Sequence, residues 1–218
     1  MSERVLRGFY AILDVAGDDQ AAADPATIAR AEELLAARPC VLQLRAKRAS
    51  AATVRDLGRR LAPLCRAAGV PFCMNDRVDL ALAVGADIVH VGQEDLPIAE
   101  VRKLLGPRPM LVGVSTHDLA QARQAVAAGA DYIGFGPVFA TASKERPDPA
   151  VGLAGLRQVT AAVPVPVVAI GGITRARLPE VVAAGAAAAA IIADIDRAPN
   201  RAAAAREAAA AFTSHAHA

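Results

Sequence analysis

Gln43, Arg45 and Lys47 recur at every second position in the stretch QLRAK, directly after the apolar run Cys40-Val41-Leu42. In a β-strand that spacing sets all three side chains on one face. Burying an unpaired charge costs several kcal/mol or more, so two cations on an inward face anticipate an anion. Other apolar runs end in polar groups too: Asn75-Asp76, then His90 running into Gly92-Gln93-Glu94-Asp95, then Ser115, then a loop with Thr141, Ser143 and Lys144. Arg45, Lys47 and Lys144 together specify a polyanion. Asp76 and Asp95 would repel it unless a metal sat between them. Mg²⁺ suits that place, since it takes one or two carboxylates and leaves its other positions to water and phosphate oxygens. The set describes a pyrophosphate–Mg²⁺ site, and no His/Cys cluster supports zinc. A second anion site is expected where Gly171-Gly172 and Ile192-Ala193 offer backbone amides, with Thr141 and Ser143 as hydroxyl donors between the two.

Each piece has an ordinary reading beside this one. An Asn-Asp pair commonly makes a turn or cap, Asp95 can cap a helix starting near Pro97, and Gly-Gly can simply let the chain turn. Lys144 in KERPD reads as a solvated lysine and His117 as a loop residue. His90 reads as a satisfied core histidine and is left out of the chemistry.

The elements that must position these residues follow from the pattern of apolar runs. Strands are expected at 9–14, 41–46, 71–75, 87–92, 110–115, 132–138, 166–172 and 187–192. Helices are expected at 25–38, 51–68, 77–84, 97–105, 118–128, 152–162, 175–184 and 199–212. AAGVP, AVGAD, AAGAD and AAGAA each place Gly after a helix and before a strand, where a left-handed turn stops the helix. Strands alternating with helices imply a parallel sheet. Eight such units in 218 residues favour an α/β fold of the (β/α)8 TIM-barrel type, with a doubly wound open sheet as the alternative. Active sites of such barrels sit at the C-terminal strand ends, where the polar residues fall.

No composition shift divides the chain, so residues 1–218 are read as one catalytic domain with a frayed tail from about 213. Apolar residues are 54% and aromatics only 3%, so packing must rely on small aliphatic contacts. A net charge of +2 gives no basic stripe for nucleic acid. The run Val181–Ala193 is too short and too rich in Ala and Gly to span a membrane. MSERVLRGFY lacks the apolar core of a signal peptide. Three cysteines without metal-ligand spacing fit small buried thiols in a reducing compartment, so a cytoplasmic protein is expected.

QLRAK, MNDRVDLAL, HVGQED, VGVSTH, DYIGFGPVFATASK and VVAIGGI, in that order, resemble the thiamine phosphate synthase family over nearly the whole chain. The resemblance implies a transferase of thiamine biosynthesis. It would couple a hydroxymethylpyrimidine diphosphate with a thiazole phosphate, plain or carboxylated, to give thiamine phosphate and pyrophosphate. It implies that Gln43, Arg45, Lys47, Asn75, Ser115 and Lys144 hold the diphosphate, with Leu44 and Ala46 inside the same motif. Asp76 and Asp95 would bind Mg²⁺. Thr141, Ala142, Ser143, Gly172, Ile192 and Ala193 would hold the thiazole phosphate. Arg45, Lys47, Lys144 and Ser115 would be the catalytic set. A mouth without an evident catalytic Cys or Ser–His pair fits a dissociative substitution. Ser143 stands where the family often has Thr, and Ala193 where it often has Ser; Asp194, next to it, is expected to point away. Expected partners are these small molecules, with no nucleic acid and no membrane, and a homo-oligomer is left open. Two alternatives remain: a thiazole tautomerase-like isomerase, which the resemblance implies would carry His where Pro137 stands, and a catalytically silent paralogue that binds a phosphorylated ligand.

Overall fold

The computed structural model describes residues 6–141 and 149–213. Among the described residues the strands are β1 (Gly8–Asp14), β2 (Val41–Arg45), β3 (Phe72–Asn75), β4 (Ile88–Val91), β5 (Leu111–Thr116), β6 (Tyr132–Phe135), β7 (Val167–Ile170) and β8 (Ala188–Ile191). All pair in parallel with their sequence neighbours, and β8 pairs with β1 to close a barrel. The open-sheet alternative is thereby excluded. Around the barrel lie α1 (Asp19–Ala23), α2 (Pro25–Leu35), α3 (Ala51–Ala68), α4 (Val78–Val84), α5 (Ile98–Leu105), α6 (Leu119–Ala127), α7 (Gly152–Ala162), α8 (Leu178–Ala183), α9 (Ala193–Asp196) and α10 (Arg201–Thr213). None of the described helices is long and apolar enough to cross a membrane.

The helices start and stop where side-chain chemistry directs. Ser50 Oγ accepts from Thr53 N at the start of α3, and Asp118 Oδ1 accepts from Gln121 N at the start of α6. Gly69 and Gly85 end α3 and α4 in the left-handed region. Two short helices, α1 and α9, were not expected, because four or five residues show no period. The stretch expected as one helix at 175–184 is a 3-10 turn (Arg175–Arg177) followed by α8, whose first turn holds Pro179.

Two cores result from the alternation of strand side chains. Inside the barrel, Tyr10, Ile12, Val41, Cys73, Ile88 and Tyr132 pack on one another. Outside it, Phe9, Leu13, Leu42, Leu44, Met74 and their neighbours meet the helices. Cys65 and Cys73 are buried and Cys40 is half-buried. Burial pushes the Cys73 thiol up to about 11 and the other two up to about 12, so these are unreactive thiols.

Candidate active site

A cavity of about 210 Å³ opens at the C-terminal ends of the strands. Gln43, Arg45, Lys47, Asn75, Asp76, Ser115, Thr141, Gly172, Ile192 and Ala193 all line it. Period two does this on β2, as the spacing in QLRAK requires. The same alternation turns Leu44 outward into the layer beneath the helices, where it is 1% exposed, and Ala46 packs against that layer too. Their side chains therefore do not reach the cavity. Ala142, Ser143 and Lys144 lie outside the described residues.

The two cations of β2 are paired within the protein. The β1–β2 register sets Asp14 beside Arg45, and Arg45 Nη1 donates to Asp14 Oδ1 at 2.6 Å. Lys47 Nζ lies 3.1 Å from Asp76 Oδ2. Asp14, not singled out from the sequence, is thus the carboxylate that fixes the Arg45 guanidinium.

Asp76 follows β3 in the left-handed region (φ 61°), a conformation Asp tolerates better than most residues, and donates its N–H to His90 O at 2.7 Å. Asp95 does not cap α5, which begins at Ile98 with no side-chain cap. Its Oδ2 instead accepts from Gly92 N at 2.7 Å. Burial pushes the Asp76 carboxyl up; Lys47 opposes this and the neighbouring Asp95 adds to it. Among the described residues, Arg45 is paired with Asp14 and Lys47 with Asp76, while Asp95 neighbours Asp76 without itself lining the cavity. With both cations already paired, the two neighbouring carboxylates Asp76 and Asp95 are an acidic pair of the kind that a divalent cation relieves. These carboxylates therefore fit Mg²⁺. No group of three or more His, Cys, Asp or Glu suited to a metal occurs among the described residues.

The floor of the cavity is a polar network. Gln43, only 3% exposed, donates from Nε2 to Tyr10 Oη at 3.1 Å, and Tyr10 Oη lies 3.0 Å from Tyr132 Oη. His90 lies 2.9 Å from Tyr132 Oη through Nδ1 and 2.9 Å from Ser115 Oγ through Nε2. A Ser–His pair does exist here, contrary to the sequence expectation. It is not an activated nucleophile, because burial pushes His90 down to about 4, making it a weak base, and its second nitrogen meets a phenol. The satisfied-histidine reading of His90 accords with this geometry. Strand glycines make the network possible. A Cβ at Gly113 would lie 2.0 Å from the Tyr132 ring, and one at Gly134 3.1 Å from His90 Cε1. Gln93 and His117 also line the cavity, His117 Nδ1 lying 2.6 Å from Gly136 O.

On the opposite side, Gly172 has φ 63°, and a Cβ there would lie 2.5 Å from Ala140 O and 2.8 Å from Phe139 Cβ. The glycine is therefore required by the loop after β6. Asp194 is turned to Arg175, its Oδ2 accepting from Arg175 Nε at 2.8 Å and from Arg175 N at 3.1 Å.

Comparison with known proteins is consistent with this geometry. Residues 10–195 match the family model described as thiamine monophosphate synthase. A thiamine-phosphate synthase of Chloroflexus aurantiacus is 48% identical over 167 residues, covering 77% of this chain and 76% of that protein. One from Methanoregula boonei is 47% identical over 166 residues, 76% of each. Among solved structures, a thiamine phosphate pyrophosphorylase from Pyrococcus furiosus superimposes with a TM-score of 0.84 at 32% identity, covering 97% of this chain and 98% of the other. Extent of match and identity together place the chain: it belongs to the thiamine monophosphate synthase family.

Proposed function

We propose that this transferase couples 4-amino-2-methyl-5-hydroxymethylpyrimidine diphosphate with a thiazole phosphate, releasing pyrophosphate and giving thiamine phosphate. The observation that carries the residue assignment is the convergence of Arg45, Lys47, Asn75, Asp76 and Ser115 on one cavity. Asp76 and Asp95 would hold Mg²⁺, which when bound supplies charge neutralisation for the diphosphate. Arg45, oriented by Asp14, and Lys47 face the oxygens on which negative charge grows as the methylene–oxygen bond breaks. Lys144 is assigned to the same task. Asn75 and Ser115 supply hydrogen bonds that orient the diphosphate. The bond's electron pair leaves with pyrophosphate, and the ring amino group stabilises the pyrimidinylmethyl cation left behind. The thiazole nitrogen then attacks with its lone pair. No proton has to move in that step, so the weakly basic His90 is no handicap. Thr141, Ala142, Ser143, Gly172 and the Ile192-Ala193 backbone are assigned to the thiazole phosphate, and the turning of Asp194 to Arg175 removes a carboxylate that would repel it.

The test is pyrophosphate release with each substrate alone and with both, with and without Mg²⁺. Release that needs both substrates and the metal is expected. Absence of release, with tight binding of one phosphorylated ligand, would instead establish the silent-paralogue alternative.

A further inference from the structure

Beneath the cavity, five side chains form one unbroken chain of hydrogen bonds between two groups that face the substrate. It runs from Gln43 Nε2 to Tyr10 Oη (3.1 Å), Tyr132 Oη (3.0 Å) and His90 Nδ1 (2.9 Å), then from His90 Nε2 to Ser115 Oγ (2.9 Å). Gln43, His90 and Ser115 line the cavity, while Tyr10 and Tyr132 are sealed under it at 2% and 0% exposure. A phenol has one proton to give, and a neutral imidazole donates at one nitrogen and accepts at the other. Proton direction at one link therefore sets the direction at the next. Cys73 Sγ lies 3.6 Å from Gln43 Nε2 and also beside both phenols, but sulfur is a weak acceptor that competes poorly with the oxygen and nitrogen acceptors of the chain.

Only two arrangements place one proton in every link and divert none to Cys73. In the first, Gln43 gives N–H to Tyr10, Tyr10 gives to Tyr132, Tyr132 to His90 Nδ1, and His90 Nε2–H to Ser115. Ser115 is then an acceptor on the inside and turns its own proton into the cavity, while Gln43 presents its carbonyl oxygen. In the second, every bond reverses: Gln43 offers its amide protons to the cavity and Ser115 only lone pairs. Gln43 stands in the orientation of the first.

We infer that the chain couples the hydrogen-bonding roles of Gln43 and Ser115. A bound diphosphate, which offers only acceptors, selects the arrangement in which Ser115 donates. That selection commits Gln43 to receive a donor from the rest of the substrate. Tyr10 and Tyr132 are then positioning residues for the reaction, although neither lines the cavity. The choice of arrangement rests on the functional reading above, which puts the diphosphate beside Ser115; the coupling itself does not.

The test is the tautomer of His90, read by ¹⁵N NMR on the full chain with inorganic pyrophosphate and Mg²⁺ as the probe. A single tautomer is expected, with the proton on Nε2 and Nδ1 bare. Tyr132→Phe keeps the ring and removes one link. It should leave His90 as a mixture of tautomers and lower kcat about three- to ten-fold, the worth of one well-placed hydrogen bond. Combined with Ser115→Ala, it should lower the rate no further than Ser115→Ala alone. A wild-type Nδ1–H tautomer with pyrophosphate bound would overturn the proposal even if the variant fails to fold. An unchanged tautomer in Tyr132→Phe, or losses that simply multiply, would overturn it as well. A chain that makes no thiamine phosphate yet shows the expected tautomers would sink the functional reading and leave the coupling standing.

Discussion

Mild acid should destabilise this protein through one side chain. His90 is held at a pKa of about 4 by burial, against an ordinary value of 6.5, with the charge of Asp95 only partly opposing. The unfolded chain therefore binds a proton near pH 6.5, whereas the folded chain resists until about pH 4. Between those values the unfolded state carries more protons, so stability is fully present above pH 6.5 and is lost as pH falls. The gap from 6.5 to about 4 corresponds to about 3 kcal/mol, an upper figure because the ring is partly open to the cavity. That is a large share of the 5–15 kcal/mol typical of a folded domain. Urea unfolding of the wild type and of His90→Asn, measured from pH 7.5 to pH 4, separates this contribution from that of the carboxylates. The variant should start lower at pH 7.5, by roughly 1–3 kcal/mol for its lost hydrogen bonds. Its stability should then fall less steeply, so that the two curves converge near pH 4. Parallel curves would show that His90 titrates normally, and the reading of it as a neutral link in the floor would be wrong.

Asp14→Ala should free the Arg45 guanidinium and lower kcat about ten-fold with a stability loss near 1 kcal/mol, since the pair is only partly buried. Asp14→Asn should recover part of the rate, and wild-type turnover in the alanine variant would dismiss the orienting role. Gly172→Ala meets both a positive φ and the backbone of Phe139-Ala140, so a loss of about 2–5 kcal/mol in urea unfolding is expected. A fully stable variant would show that this loop yields. Asp76→Asn should raise the Mg²⁺ concentration for half-maximal rate by about ten-fold or more. It should leave the melting temperature unchanged or higher, because the ionised form is disfavoured there; an unchanged metal requirement would remove the assignment.

What could be read from the sequence was whatever depends on local period. Apolar runs alternating with helices specify the closed barrel, and the spacing in QLRAK specifies an inward Gln43, Arg45 and Lys47. What could not be read depends on register between strands distant in sequence. Asp14 looks like a strand-ending turn residue until β1 is set beside β2. Tyr10 and Tyr132, the two tyrosines of the chain, meet only when the barrel closes. A signal for them was present, since glycine inside a strand marks close approach, and Gly113 and Gly134 are the places vacated for Tyr132 and His90. Leu44 and Ala46 belong to the QLRAK motif by sequence only: the strand's alternation turns their side chains away from the cavity.

The seam between β1 and β8 sets a condition on biosynthesis. Tyr10 pairs in register with Ala190, so the first strand emerges from the ribosome long before its second neighbour exists. Without Ala188–Ile191 the sheet cannot close, so strands formed before that point would expose two unpaired edges of the kind that recruits other chains. The cavity takes Ile12 from the first strand and Ala190 from the last, so a prematurely terminated product would lack an assembled cavity. Ribosome stalling or a nonsense codon late in the message would therefore yield an aggregation-prone fragment in place of a weakened enzyme.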